Sequence, residues 1–421
     1  SYWRISMYAA LATLLAALVA FLRRPFKTHL HSRAWFTRNV MTVNYREDFD
    51  IPRDICYLNA AYMTPHPRDV VTATMRGATL RSQPWHITPP GFFHDVEALR
   101  DTFARQVGCS SDNIAIVPSA GYGVSCAAIN MPLKKGGIVL AMHEQFPSNY
   151  YAWRRQTLAT GAEFYVVNKE AGQSWADALL EAIRDLGDRI EIATLEGHHW
   201  ASAEFVDLEV VIPALRDVGA RVVLDLTQTI GGCPIDIGRL APDFMATAGY
   251  KWQFCPYGVA FLYVDDRYLD GVPIEEPWMS RAGAEDFSRL ADFTDAYQPG
   301  ARRFDVSEKS SFSNIAGALA ALQKLEKWGI SNISESLATT NARIADILTS
   351  HGFETMAAKD RAPHFQGARL PATDPRKLAE QLVENNVFAS VRGDYLRVAP
   401  HVYTDQTDLL RLDEVLGMAL A

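Results

Sequence analysis

The feature that most constrains the fold is a series of seven short apolar runs that alternate with helical stretches from Asp112 onward. Such alternation is typical of a mostly parallel sheet with helices on both faces. The runs predict strands at 113–119, 137–143, 162–167, 190–195, 221–226, 244–248 and 258–264. Seven strands of this kind fit one large α/β domain.

Helices are predicted between these strands and again towards the end of the chain. Those between the strands lie at 122–130, 149–160, 176–186 and 208–218. Two longer stretches, at 314–329 and 333–352, belong with "VRGDYLRVAP" to a later α+β unit. Because the composition changes near "DAYQPGARRF" (295–304), we predict three parts. These are an N-terminal segment at 1–40, an N-terminal arm with the large domain at 41–295, and a smaller α+β C-terminal domain at 296–421.

Composition and charge narrow the classes of protein that the chain can represent. With 421 residues, 48% hydrophobic and 21% charged, it is globular and long enough for two domains. The net charge is −8 although residues 1–46 contain seven basic and no acidic residues, so the body is acidic and nucleic acid is not expected as a partner. The five cysteines form no CxxC pair and have no zinc spacing, so we expect neither disulfides nor a metal, and a cytoplasmic location.

The N-terminal segment contains an uncharged apolar stretch at 5–22, followed by a basic cluster. Eighteen such residues are just long enough to span a membrane, and the basic flank would keep the catalytic body in the cytosol. Membrane association through this stretch is therefore one interpretation. The alternatives are a targeting peptide, or sequence that is not native with Met41 as the true start.

Polar residues follow several predicted strands, at the edge of an open α/β sheet where ligands bind. Gly121 lies at a predicted helix start, where unpaired amides favour an anion such as phosphate. Asp225 ends a buried strand, where a carboxylate is costly unless it meets a cation or hydrogen-bond donors. Taken singly, the glycine could be only a turn and the aspartate only a helix cap or a salt bridge.

Lys251 follows the next strand in the sequence and lies among Tyr250, Trp252 and Phe254. Partial desolvation by these aromatics would lower its pKa and make the neutral amine available for imine formation. A lysine of this kind alone could also be a surface residue that extends past aromatics. Together with a phosphate cradle, an aromatic ring and a buried aspartate, it matches what pyridoxal 5′-phosphate (PLP) requires.

At this point the sequence resembles the class V aminotransferases, a family of fold-type I PLP-dependent enzymes. The resemblance is to the kynureninase and isopenicillin epimerase-like branch rather than to cysteine desulfurases, and it runs from about Tyr57 to about Asp408. It is carried by "YLNAAYMTPHP", "PSAGYGVS", "HEQFPSNYYAW", "DLTQTIGGCPIDI", "GYKWQFCPYGVAFLYV", "RRFD" and "YLRVAPHVYTD". The resemblance implies an α/β fold with a seven-stranded, mostly parallel sheet, and a homodimer.

The resemblance also implies a role for each candidate site residue. Lys251 would form the Schiff base with PLP, Asp225 would pair with the pyridine nitrogen, and Gln228 would bond the phenolic oxygen. Arg397 would grip the substrate carboxylate, and His199 would reach the substrate or the cofactor oxygen. The remaining cofactor contacts are Phe146 on the ring and Gly121, Tyr122 and Tyr250 at the phosphate, with Ser311 in a loop that departs from the family pattern.

The reaction expected from this resemblance is transamination of an amino acid or small amine. A lyase acting on a C–S or C–C bond and an epimerase remain as alternatives, because pocket geometry decides among these outcomes. Desulfurases use a cysteine in the small domain, and this sequence has none after Cys255, which argues against persulfide chemistry. A membrane-tethered, non-catalytic interaction module is a further alternative, although such a module would not need Lys251, Asp225 and Arg397 together.

Overall fold

The computed structural model describes residues 43–420 and contains the predicted seven-stranded sheet. Each strand lies within one or two residues of the bounds expected from the sequence. The strands of the described chain are β1 (Cys56–Tyr57), β2 (Ile114–Val117), β3 (Ile138–Met142), β4 (Glu163–Val167), β5 (Ile190–Glu196), β6 (Arg221–Asp225), β7 (Phe244–Ala248), β8 (Ala260–Val264), β9 (Gln366–Arg369), β10 (Val387–Phe388), β11 (Ser390–Arg392) and β12 (Tyr395–Val398).

The order of the central sheet is β2-β8-β7-β6-β5-β3-β4. Only β8 runs antiparallel to its neighbours, so the sheet is mostly parallel, as predicted. Every residue of β2, β3, β7 and β8 is buried, which explains why these strands appear in the sequence as continuous apolar runs. The carboxyl ends of β2, β3, β5, β6 and β7 therefore lie at one edge of the sheet.

Helices cover both faces of the sheet and build the C-terminal part. Several begin one or two residues earlier than predicted, since Ser119 caps one helix through the amide of Tyr122 and Pro147 opens another at its first turn. The described α-helices are α1 (Arg68–Thr79), α2 (His94–Val107), α3 (Ala120–Asn130), α4 (Pro147–Thr160), α5 (Trp175–Leu186), α6 (Leu208–Asp217), α7 (Ile237–Leu240), α8 (Phe312–Trp328), α9 (Ile330–Ser350), α10 (Pro375–Glu384) and α11 (Gln406–Ala419).

The C-terminal part contains a small antiparallel sheet of order β11-β12-β9, packed with α10 and α11 around its own apolar cluster. Strand β1 of the N-terminal arm pairs in parallel with β10, and Asn59 bridges to Ala399. The arm therefore adds to the C-terminal part of the fold as well as to the large domain. The boundary near residue 295 remains a prediction.

The expectations for the N-terminal segment 1–40, including membrane association through residues 5–22, lie outside the described residues. Within 43–420, no helix is both long and apolar enough to cross a membrane.

Candidate active site at the carboxyl edge of the sheet

A cavity of about 220 Å³ opens at the carboxyl ends of β2, β3, β5, β6 and β7. Six of the predicted site residues line it: Gly121, Phe146, Asp225, Gln228, Tyr250 and Lys251. The other four, Tyr122, His199, Ser311 and Arg397, are not among the lining residues. Residues from five separate strand ends thus meet in one space.

Lys251 reaches the cavity from the turn that follows β7. The turn is tight at Gly249, where a Cβ atom would lie 2.8 Å from Cys255 Cβ and 2.9 Å from the carbonyl oxygen of Val259. The chain then returns through β8, as expected from the sequence. This close approach explains why glycine precedes "YKW" and how the turn projects the lysine from the sheet edge.

The Lys251 side chain is buried between two aromatic rings. Its Nζ atom lies 5.3 Å from the ring centre of Phe146 and 5.8 Å from that of Tyr250. Burial lowers the pKa of Lys251 to about 8, and the positive charge of Arg397 adds to the effect. The neutral amine is therefore accessible near physiological pH, as the sequence predicted.

Asp225 and Glu196 lie side by side at the ends of the paired strands β6 and β5. The Asp225 carboxylate is 5% exposed and accepts a hydrogen bond of 3.0 Å from the amide of Thr227. Burial raises the pKa of Asp225 above its ordinary value. A cationic group in the cavity would relieve this cost, which is the environment that a protonated pyridine nitrogen needs.

Glu196 is a cavity residue that sequence reasoning missed. Its two oxygens accept hydrogen bonds from the amides of Phe146, at 2.6 Å, and Trp200, at 3.0 Å. Burial, together with the neighbouring Asp225 carboxylate, raises the pKa of Glu196 to about 8. Its position at a strand end was the available signal, but only the parallel register shows that it pairs with Asp225.

The amino end of α3 provides an anion site beside the lysine. Ser119, Ala120 and Gly121 line the cavity there, and Ser148 lies opposite. The amides of a first helical turn have no partner within the helix and favour negative charge. Tyr122 is not among the lining residues: its amide donates to the Ser119 hydroxyl at 3.0 Å, and its own hydroxyl is buried without a hydrogen-bond partner. Its predicted contact with the phosphate stays a prediction.

Gln228 lies at the cavity wall with its amide already engaged in the protein. Its Nε2 donates to the carbonyl of Ala61 at 3.0 Å, and its Oε1 accepts from the indole nitrogen of Trp252 at 2.8 Å. One amide hydrogen remains for a ligand oxygen. Trp252 therefore anchors Gln228, a role beyond the simple packing that its sequence position indicates.

Arg397 is buried close to Trp200 without an acidic partner. It is 2% exposed, and its Nη1 donates to the carbonyl of Trp200 at 2.9 Å, while Nε has no hydrogen-bond partner. No carboxylate of the described chain lies within 4.0 Å of its guanidinium. Burial lowers its pKa to about 9, with a further contribution from Arg392. An uncompensated buried cation of this kind is suited to an anionic ligand.

His199 and Ser311 lie apart from the cavity. The Nε2 atom of His199 contacts the carbonyl of His143 at 3.1 Å, and its Nδ1 contacts the hydroxyl of Ser202 at 3.0 Å, so both ring nitrogens are engaged within the protein. The neighbouring His198 lines the cavity instead. Ser311 is exposed at the start of α8, outside the lining.

The groups around the cavity fit PLP. The start of α3 and Ser148 offer amides and hydroxyls for a phosphate, Phe146 offers a ring face, and Asp225 offers a buried carboxylate. Lys251 offers an amine whose pKa is already lowered. The unpaired guanidinium of Arg397 adds a place for a substrate carboxylate.

Two solved structures of C-DES have a similar fold. A mutant of C-DES with glycine covalently linked to its PLP cofactor has a TM-score of 0.80 at 19% sequence identity, covering 88% of this chain and 98% of that one. The cystine C-S lyase C-DES with its product cysteine persulfide has a TM-score of 0.78 at 20% identity, covering 86% and 97%. The fold is that of the fold-type I PLP-dependent enzymes.

The sequence comparisons identify the family. The family model for aminotransferase class V matches residues 56–411, most of the chain. The chain belongs to the class V aminotransferase family and is a PLP-dependent enzyme of amino acid chemistry. It is 24% identical over 328 residues to the uncharacterized aminotransferase YcbU of Bacillus subtilis, covering 77% of this chain and 84% of that protein. It is also 24% identical over 366 residues to kynureninase of Deinococcus radiodurans, covering 83% and 85%.

Proposed function

We propose that the protein is an aminotransferase that acts on the α-carbon of an amino acid or small amine, with Lys251 as the residue that binds the cofactor covalently. The observation that carries the proposal is the pairing of a buried lysine of lowered pKa with a buried arginine that has no acidic partner. The lowered pKa of Lys251 suits an amine that must be neutral to react, and the guanidinium of Arg397 suits the carboxylate of an amino acid.

Four sets of residues would hold the cofactor. The first turn of α3 with Gly121 would bind the phosphate, helped by Tyr250, and Phe146 would pack against the ring. Asp225 would keep the pyridine nitrogen protonated, and the remaining amide hydrogen of Gln228 would bond the phenolic oxygen. When bound, PLP supplies an aldehyde that condenses with amines and a ring that accepts electrons from the α-carbon of the substrate.

Lys251 is well suited to carry a proton within the site. Among the described residues that line the cavity it is the one lysine, and both oxygens of the nearby Glu196 are held by backbone amides. A single base at Nζ could take the proton of the substrate α-carbon and deliver it, on the same face, to the former aldehyde carbon of the cofactor. This supports transamination over an epimerisation that needs bases on two faces.

The proposal includes a homodimer in the cytoplasm. Tyr257 lines the cavity yet is 71% exposed, and Tyr62 is 53% exposed, so large aromatic surface remains for a second subunit to cover. Ser311, exposed at the start of α8, would then contact the phosphate of the partner's site. All five cysteines are free, which agrees with a reducing compartment. Sedimentation of the purified enzyme tests the assembly, and a fully active monomer would contradict it.

Incubation of the cofactor-loaded enzyme with single amino acids, without a keto acid, tests the reaction. We expect stoichiometric conversion of the cofactor absorbance to that of the amine form. Catalytic release of ammonia together with pyruvate or sulfide would instead establish a lyase and refute transamination.

The residue assignments are tested by substitution. Borohydride should fix the cofactor to the peptide that contains Lys251, and Lys251→Ala should abolish this labelling while Lys377→Ala, at an exposed site on α10, preserves it. Arg397→Ala should raise KM for the amino acid by roughly 100-fold or more, since a charged hydrogen bond pair contributes about 3 kcal/mol. An unchanged KM would exclude Arg397 as the carboxylate site.

A further inference from the structure

A second group of polar side chains adjoins the cavity through His198, which is one of the cavity's lining residues. It contains His198, Cys233 and His364, each of which presents one nitrogen or sulfur atom within 4.8 Å of the others. His198 follows β5, Cys233 belongs to the turn after β6, and His364 precedes β9. Three distant segments of the chain therefore bring together two imidazoles and one thiol.

His364 has the hydrogen bonding of a histidine that is ready to bind a metal. It is 0% exposed, its Nε2 lies 2.6 Å from the carbonyl oxygen of Gln228, and its Nδ1 is buried without a hydrogen-bond partner. A ring that donates from one nitrogen to a carbonyl keeps a lone pair on the other, as metal-ligating histidines do. Leaving that lone pair unpaired in the interior otherwise costs free energy.

His198 shows a similar arrangement. Its Nδ1 lies 2.9 Å from the hydroxyl of Thr229, which can orient the ring and leave Nε2 available. The ring meets that of His364 edge to face, with centres 5.1 Å apart.

The cluster has access to a cavity of its own. A space of about 270 Å³ is lined by His198, Thr229 and Cys233 among others, and Lys251 is not among its lining residues. Cys233 is 9% exposed, and its thiol lies 3.6 Å from the carbonyl oxygen of Thr229. The ring of His364 packs directly on Gly232, where a Cβ atom would lie 2.4 Å from its Cδ2. A metal ion could therefore enter, and a water molecule could complete its coordination.

We propose that His198, Cys233 and His364 bind a zinc ion through two imidazole nitrogens and one thiolate, with water from the adjacent cavity as the fourth ligand. This combination of donors suits Zn²⁺, which binds nitrogen at about 2.1 Å and thiolate sulfur at about 2.3 Å in a tetrahedral arrangement. The three donor atoms would move together by about 1 Å to reach these distances. Binding releases the Cys233 proton to solvent, because zinc takes the thiolate.

The site would clamp the turn that carries the cofactor-facing residues. Gln228 and Thr229 lie between Asp225 and Cys233, and both are hydrogen bonded to the proposed ligands. Zinc would join this turn to the segment before β9 and to the end of β5. Its role is structural, and its occupancy does not depend on the reaction proposed above.

Metal analysis of the cofactor-loaded enzyme tests the proposal. After incubation with zinc and removal of unbound ions on a desalting column, we expect about one zinc per chain in the wild type and a background level in Cys233→Ala. Cys126→Ala, at a buried free cysteine outside the cluster, should retain the metal. Wild-type enzyme without zinc, or Cys233→Ala with as much zinc as the wild type, would overturn the site.

Cobalt substitution of the wild type gives a readout that does not require a variant to fold. Co²⁺ bound to a thiolate produces a sulfur-to-cobalt charge-transfer band in the near ultraviolet, so we expect this band on addition of Co²⁺ and its loss when zinc is added in excess. Cobalt that binds without such a band would exclude Cys233 as a ligand and refute the assignment.

Discussion

At the scale of single residues, burial makes the ionisable groups of the cavity reactive and also destabilises the protein that holds them. Lys251 is 6% exposed, and its pKa of about 8 reflects the cost of a charge in the interior. Burial also raises the pKa of Asp225 and that of Glu196. The cofactor-free site therefore stores unfavourable energy that a bound ligand can offset.

Lys251→Met should stabilise the cofactor-free protein at pH 7 by up to roughly 3 kcal/mol, because it removes a buried amine whose pKa is depressed. In the wild type this cost is full below about pH 8, since the folded protein must protonate the buried amine. It disappears as the pH rises towards the ordinary lysine value near 10.4, where both states are neutral. Urea unfolding of both proteins at pH 7 and pH 10 measures the difference.

Lys377→Met, at an exposed position, is the control for this substitution and should change the free energy of unfolding little. If Lys251→Met were no more stable than the wild type at pH 7, the buried amine would not carry the expected cost.

At the scale of elements, the motif "RRFD" (302–305) joins α2, β2 and the segment before α8. Asp305 accepts hydrogen bonds from both terminal nitrogens of Arg100 on α2, at 3.0 and 2.8 Å, and from Lys309 at 2.7 Å. It also accepts the amide of Ile116 in β2. All three charged side chains are buried. The motif that helped to reveal the family therefore has a structural task that its sequence position did not indicate.

Asp305→Asn should lower the free energy of unfolding by about 3–5 kcal/mol, because it removes the counter-charge of the buried Lys309 and leaves the buried Arg100 with only the partly exposed Glu97 as an acidic partner. Burial alone would raise the pKa of Asp305, but Arg100 and Lys309 bring it below its ordinary value. The stabilisation is therefore full above about pH 4 and lost as the pH falls through the folded-state pKa. Denaturation at pH 7 and pH 3 should show a gap between wild type and variant that narrows in acid.

Asp292→Asn provides the comparison, since Asp292 pairs with Arg289 at the surface, where both side chains are well exposed. Such pairs contribute at most about 1 kcal/mol. If both substitutions lowered the free energy of unfolding equally, the buried network would stabilise the protein no more than a surface ion pair does.

At the scale of the whole molecule, the described ends of the chain close on each other. Arg46, 5% exposed, binds Asp408 at the start of α11 at 2.8 Å and the carbonyls of Tyr403, Pro52 and Ile55 at 3.2 Å. Strand β1 then pairs with β10. The N-terminal arm thus holds the C-terminal part, which carries Arg397, beside the central sheet.

Arg46→Ala should loosen this closure and speed hydrogen exchange in β1, β10 and α11, while the central sheet stays protected. The cause is the loss of four side-chain hydrogen bonds, one of which is the ion pair that neutralises the buried Asp408. Hydrogen exchange followed by mass spectrometry measures it. Arg53→Ala removes an arginine of the same arm whose side chain is 60% exposed, and it should leave the exchange pattern unchanged. Uniform exchange across the Arg46→Ala protein would contradict a local role.

Much of the fold and part of the site could be predicted from local sequence. The prediction of the seven strands was confirmed because buried parallel strands are continuous apolar runs between turn residues. That pattern can be seen without knowing which strands lie beside each other in the sheet. Gly121, Phe146, Asp225, Gln228, Tyr250 and Lys251 meet in one cavity because each ends or closely follows a strand whose carboxyl end lies at the same edge of the sheet.

What only the tertiary structure decided depends on contacts between distant segments. The register of β5 with β6 sets Glu196 against Asp225, and the fold buries Arg397 against the carbonyl of Trp200. The tertiary structure alone also brings together His198, Cys233 and His364, which are far apart in the chain. Periodicity and spacing determine which residues end a strand, whereas the strand order and the folding of the C-terminal part determine which side chains meet and lose their water.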